Sequence, residues 1–214
     1  MTQLVVDAVL FDMDGTLVDS TAMVETLWRH FAVENHADVA TVIDFAHGRP
    51  SRDTVAKFVA DPASIEHWLE WIHTAESEHF NEVTAIPGAV RVARELPSGR
   101  WAVVTSALAE PAARRLALVG IPVPEVLIGA DDVSRGKPDP TGYARAASLL
   151  GAAPGSCVVF EDTEAGVLAG LAAGCAVVVV GSARSDAMVG LPRIPDFTAV
   201  QVSAGEQGIT LTLD

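Results

Sequence analysis

With 28 acidic against 14 basic side chains in 214 residues, the chain has a formal charge of −14, which argues against nucleic acid or anionic membrane as a partner, since neither polyanion is drawn to such a surface. The length suits one large core plus an insert. The two cysteines, Cys157 and Cys175, stand beside apolar strand-like runs and read as buried small hydrophobes rather than a disulfide or metal site, which points to the cytosol.

The first predicted element is an apolar strand over 4–11. It has no basic stretch ahead of it and carries Asp7, so no signal peptide is expected. It runs into Asp12-Met13-Asp14-Gly15-Thr16, where alternation points both aspartates to one side and Gly15 can take backbone angles closed to other residues. Two carboxylates held that close repel unless a cation or shared proton intervenes, so the motif implies a metal. As a nucleophile Asp12 would form an aspartyl-phosphate, and Asp14, kept protonated by its neighbour's charge, would serve the leaving alcohol and then the attacking water.

From Ser20 to Val83 period-2 alternation fades, while Ile65, Trp68, Leu69, Ile72 and Phe80 fall near one helical face. An all-helical insertion is expected there, with Trp28, Phe31, Trp68 and Trp71 as its core rather than a ligand box. All six histidines lie in it (His30, His36, His47, His67, His73 and His79), and no spacing matches the i,i+4 pair of a helical zinc site. The loop His47-Gly48-Arg49-Pro50-Ser51 stands out, since a glycine beside a basic and a titratable group can approach a ligand closely.

Beyond Pro87-Gly88, strands at 101–105, 126–128, 157–160 and 176–180 alternate with helices at 88–96, 110–119, 141–150 and 163–173, the pattern of βαβ units. The uncharged stretch Ala165–Ala183 is long enough to span a membrane, but its glycines divide it into a helix and a β-branched strand. A terminal strand is expected at Gly208–Leu213. Three strands end in chemistry: Thr105-Ser106 offers hydroxyls, the loop after 126–128 offers Lys137 between Gly136 and Pro138, and 157–160 runs into Glu161-Asp162, an acidic pair suited to magnesium. Each cluster alone has an ordinary structural reading. Together with Asp12 they stand at the carboxyl ends of strands, where open parallel sheets bind ligands.

Asp12-Met13-Asp14-Gly15-Thr16, Thr105, Lys137-Pro138-Asp139-Pro140 and Glu161-Asp162-Thr163-Glu164-Ala165-Gly166 resemble, in order and spacing, the four motifs of the haloacid dehalogenase superfamily. The resemblance spans nearly the whole chain. It implies an α/β fold, a Rossmann-like parallel sheet with helices on both faces, over 1–18 and 85–214, with a helical cap over 19–84. It makes Asp12 the nucleophile, Asp14 the acid/base, Thr105 and Lys137 the phosphoryl-binding pair, and Asp12, Asp14, Asp162 and Glu161 the metal set for Mg2+. An acid at position 14 argues against dehalogenation, which needs no leaving-group proton.

Within the cap, Trp28-Arg29-His30-Phe31, His47-Gly48-Arg49 and Pro87-Gly88-Ala89 resemble the glycerol 3-phosphatase and 2-deoxyglucose 6-phosphatase group, with departures at Arg49-Pro50-Ser51 and at Ala107. The expectation is a phosphatase of small sugar or polyol monophosphates with Ser106, His47, Gly48 and Arg49 on the substrate and no obligate protein partner evident. The alternatives are a hexose phosphate mutase of the same fold and a catalytically idle protein-binding scaffold. The few fixed cations of the insertion (Arg29, Arg49, Arg52 and Lys57) favour hydrolysis, because a mutase must also grip a distal phosphate.

Overall fold

The computed structural model describes residues 2–47, 49–78, 83–205 and 208–213, and the side chains of 76–78 are outside that description. Its centre is a six-stranded parallel sheet in the order β6-β5-β2-β7-β8-β9, built from β2 (Ala8–Phe11), β5 (Trp101–Val104), β6 (Val126–Ile128), β7 (Cys157–Glu161), β8 (Ala176–Val180) and β9 (Arg193–Ile194). Helices α5 (Ala89–Glu95), α6 (Ala109–Leu118), α7 (Thr141–Leu149) and α8 (Glu164–Ala172) connect the strands.

Near-continuous apolar strands are buried on both faces, as a parallel sheet with helices on each side requires. Val9 and Phe11 of β2, Trp101 and Val103 of β5, and Val158 and Phe160 of β7 join one apolar layer. Their alternates Ala8, Leu10, Ala102, Val104, Cys157 and Val159 join the other. The uncharged stretch 165–183 is indeed α8, a turn at Gly174 (φ +87°), then β8. No helix among the described residues is long and apolar enough to cross a membrane.

The expected first strand, 4–11, is divided at Asp7 into β1 (Thr2–Val6) and β2. Only β2 belongs to the parallel sheet. β1 pairs antiparallel with β11 (Gly208–Leu213), which also pairs with β10 (Gln201–Gly205), forming a separate three-stranded sheet. Ile209, Leu211 and Leu213 are buried while Thr210 and Thr212 are less so, the period-2 pattern of a half-buried strand. The terminal strand therefore exists, but it closes a second sheet instead of extending the first.

The insertion consists of α1 (Thr21–Glu34), α2 (Val39–Ala46), α3 (Ser51–Phe58) and α4 (Ile65–Glu78), flanked by the short antiparallel pair β3 (Val18–Asp19) and β4 (Thr84–Ala85). It has its own apolar core around Trp28, Phe31, Val42, Val55, Leu69 and Ile72, with Ile65, Trp68 and Trp71 partly buried against it. The expected helical face of α4 is thus the packed one. Phe80 and His79, also assigned to the insertion, lie outside the described residues.

Candidate active site

Four strand ends bring Asp12, Thr105, Lys137 and Asp162 together. Asp12 ends β2 and is 6 % exposed, as is Lys137, which comes from the loop after β6. Lys137 Nζ donates to Asp12 Oδ1 and, at 2.7 Å, to Glu161 Oε1. Glu161, fully buried at the end of β7, accepts at Oε1 from the Tyr143 hydroxyl (3.1 Å) and at Oε2 from the backbone N–H groups of Asp162 and Thr163 (both 2.9 Å) and from Thr163 Oγ1 (3.0 Å). Glu161 is therefore the anchor that fixes Lys137 under Asp12.

Two glycines make this packing possible. A Cβ on Gly166, in the first turn of α8, would lie 1.5 Å from Glu161 Oε1. Gly15 has φ +87°, and a Cβ there would lie 2.1 Å from Asp162 Oδ2. The first motif turns where only glycine turns easily, and it turns against the fourth motif.

Oxygens of Asp12, Glu161 and Asp162 all lie within 4.8 Å of one another. Burial pushes Asp12 up to about 7, with Lys137 pulling it down and the charges of Glu161 and Asp14 adding to the rise. Asp162 is likewise pushed well up by burial and by Asp12 and Glu161, although Thr16 Oγ1 donates to its Oδ1 at 3.0 Å. Burial would lower Lys137, but Asp12 and Glu161 outweigh it and hold the ammonium above its ordinary range. One ammonium among two buried carboxylates and a half-buried one leaves surplus negative charge, and all the donor atoms are hard oxygens. That donor set fits a divalent cation.

Asp14 is not in this cluster. Its Oδ1 accepts from Arg115 Nη1 at 2.8 Å and from Ser20 Oγ at 2.7 Å. Thr105, 5 % exposed, accepts at Oγ1 from the backbone N–H of Ala107 (3.1 Å), which leaves the hydroxyl proton to donate.

A cavity of about 590 Å³ opens over these residues, lined from the sheet side by Asp12, Asp14, Thr105, Ser106, Arg115 and Asp162 and from the insertion by Trp28, Asp44, Phe45, His47, Arg49 and Lys57. Lys137 and Glu161 are outside the lining and meet the cavity through Asp12. On the insertion wall the Arg49 guanidinium carbon lies 4.6 Å from the Phe45 ring centroid and Lys57 Nζ lies 3.6 Å from it, cations resting on an aromatic face. The two lobes touch at the loop: a Cβ on Gly136 would come within 2.3 Å of Pro50 Cγ.

The structure thus brings Asp12, Thr105, Lys137, Glu161 and Asp162 together, sets Asp14, expected in the metal set, on the same cavity but outside the carboxylate cluster, and places Ser106, His47 and Arg49 on that cavity too. Gly48 lies outside the described residues. Arg115 was not singled out, and Lys57 was counted only among the fixed cations of the insertion. For Arg115 a signal was present, since it shares the buried face of α6 with Ala112 and Leu116, where a charge is out of place. Trp28 is both insertion core and cavity wall.

The family of haloacid dehalogenase-like hydrolases matches residues 6–174. The chain belongs to this family. It is 42 % identical over 180 residues to hexitol phosphatase A of Escherichia coli strain K12, covering 81 % of this chain and 82 % of that one. It is 35 % identical over 188 residues to glycerol-1-phosphate phosphohydrolase 1 of Saccharomyces cerevisiae, covering 83 % and 75 % respectively. A crystal structure of a hydrolase from Pseudomonas syringae superposes with a TM-score of 0.77 at 22 % identity, covering 90 % of this chain and 94 % of that one, a likeness of fold. Haloacid dehalogenase-like hydrolases generally use a divalent metal, and the acidic cluster of this chain is able to hold one.

Proposed function

We propose that the protein is a magnesium-dependent phosphatase of small sugar or polyol monophosphates acting through an aspartyl-phosphate on Asp12. The observation that carries this reading is the contact of Asp12 with Lys137 at the cavity floor, with Asp14 on the same cavity and clear of the carboxylate cluster. The sugar or polyol class rests on relatives named as phosphatases of hexitol phosphates and of glycerol 1-phosphate.

Asp12 and Asp162 would hold the cation, with Glu161 adding its negative charge from behind Lys137, and the cation when bound supplies the positive charge that these carboxylates lack and neutralises phosphoryl oxygens. Thr105 and Ser106 orient the phosphoryl group by donating to its oxygens, and Lys137, behind Asp12, sets its positive charge under them. A free Asp12 oxygen attacks phosphorus as the ester P–O bond breaks, and Asp14 gives its proton to the departing alkoxide. Asp14 then takes a proton from water, whose oxygen attacks phosphorus, releasing phosphate and regenerating the Asp12 carboxylate and the protonated Asp14. The insertion acts as the cap, closing the cavity against bulk water and meeting the sugar or polyol with His47 and Arg49.

One observation favours the mutase alternative: Arg49 and Lys57 both reach the cavity, so the insertion has a cationic wall. Arg52 does not add to it, since it pairs with Glu66 on an exposed face. The nearby phosphatase relatives weigh the other way. A panel of phosphomonoesters assayed for inorganic phosphate with Mg2+ tests the reading. Release from sugar or polyol phosphates above aryl phosphates supports it, and conversion of a hexose 1-phosphate to its 6-isomer without phosphate release favours the mutase.

A further inference from the structure

We infer that Arg115 is the positioning residue for the acid/base Asp14, fixing which of its two oxygens faces the leaving group. The inference rests on the acid/base reading of Asp14 given above. Arg115 is 1 % exposed on α6, and its Nη1 lies 2.8 Å from Asp14 Oδ1. Ser20 Oγ donates to the same oxygen at 2.7 Å. Two donors on Oδ1 set the rotation of the carboxylate and leave Oδ2 as the oxygen to serve the leaving group in the cavity that both Asp14 and Arg115 line.

Packing alone does not account for an arginine here. The buried face of α6 is otherwise Ala112 and Leu116, and an apolar side chain of similar volume would spare the desolvation of a guanidinium. Arginine contributes a rigid, permanently charged donor, here through Nη1 to one carboxylate oxygen. The arrangement parallels the other side of the floor, where Glu161 holds Lys137 on Asp12. Each reacting aspartate thus has its own buried cation.

Chemistry that needs a proton for the leaving group should therefore suffer when Arg115 is lost, and chemistry that does not should be spared. Rapid-quench formation of the phosphoenzyme with Mg2+ reads this directly, using glycerol 3-phosphate as the alkyl ester and 4-nitrophenyl phosphate as the aryl ester. Misplacing a catalytic group by about an ångström costs about 100-fold, so Arg115→Met should slow the alkyl ester by about that factor and the aryl ester by less than about threefold. Arg115→Lys, which restores a charge, should recover part of the alkyl rate. Ser20→Ala removes the other donor and should show the same selectivity, more weakly, even if Arg115→Met does not fold.

Equal loss on both esters, or a raised KM with no ester selectivity, would make Arg115 a packing or phosphate-binding residue and overturn the inference. Asp14→Asn is run beside these variants. If it is selective and both Arg115→Met and Ser20→Ala match wild type on both esters, the positioning role fails alone. If Asp14→Asn is itself unselective, the acid/base reading fails first.

Discussion

The floor of the cavity and its insertion wall both carry charge, but they hold it differently. On the floor, Asp12, Lys137 and Glu161 are buried and tied to one another and to backbone N–H groups. On the wall, Arg49 and Lys57 lie over the Phe45 ring, with Arg49 half-buried and Lys57 and His47 exposed. Fixed, desolvated charge suits a reaction whose geometry does not change between substrates. Charge resting on a ring can shift at little cost and suits the part of the ligand that varies. On the proposed function, the phosphoryl chemistry belongs to the floor and discrimination to the wall.

Substitutions on the two sides should separate accordingly. The largest effect is expected for Asp12→Asn, which should stop sugar and aryl phosphates alike, by roughly 10⁴-fold or more in kcat. Steady-state assays on both esters check this, and a variant that keeps aryl turnover would break the division.

Next comes Gly166→Ala. The added Cβ must push the Glu161 carboxylate away, which loosens Lys137 and leaves a well-packed floor overfilled. Overpacking of this kind costs about 1–3 kcal/mol, so urea unfolding should show that loss, and kcat should fall on every substrate. Unchanged stability would mean that Glu161 is not the anchor described.

Arg49→Ala and Lys57→Ala should do the reverse. Each should lower kcat/KM for a sugar or polyol phosphate by about tenfold, within the 1–3 kcal/mol typical of a charge-assisted contact, and leave 4-nitrophenyl phosphate nearly untouched. Parallel losses on both esters would remove the wall from discrimination.

The smallest effect concerns pH. With Asp12 raised to about 7 from 3.8, the metal-free folded protein binds more protons there than the unfolded chain, so this residue's contribution to stability falls as pH rises across that window. Asp162 shifts in the same direction. Lys137 shifts upward too, and its contribution is present until the pH exceeds the ordinary lysine range, so it does not offset the trend near neutrality. A divalent ion takes the place of those protons. Mg2+ should accordingly raise Tm more at about pH 8 than at about pH 5, by about 2–4 °C for each kcal/mol gained, as differential scanning calorimetry would record. An equal rise at both values would contradict the charge surplus.

How much of this was legible in the sequence follows the same division. The floor could be read because its residues end apolar strands, and a parallel sheet sends all such ends to one edge. The strand over 4–11 was misread at Asp7 because hydrophobic pattern does not reveal which partner a strand takes, and β11 lies some two hundred residues away in the chain. Arg115 lay hidden in a helix whose neighbours look like ordinary core, its partner Asp14 a hundred residues earlier. Lys57 is another case, since only the packing of α2 on α3 brings it over Phe45. Strand-end chemistry is local to the sequence, whereas the wall and the second buried cation depend on contacts between elements.

The claim at the centre of the account is that Asp12 carries the phosphoryl group. The most direct measurement is acid quench of the enzyme turning over a ³²P-labelled phosphomonoester with Mg2+, followed by proteolysis and mapping of the labelled peptide. The account predicts a base-labile acyl phosphate on Asp12 that is lost in Asp12→Asn. Label on another residue, or turnover with no covalent label under conditions where formation outruns hydrolysis, would contradict it.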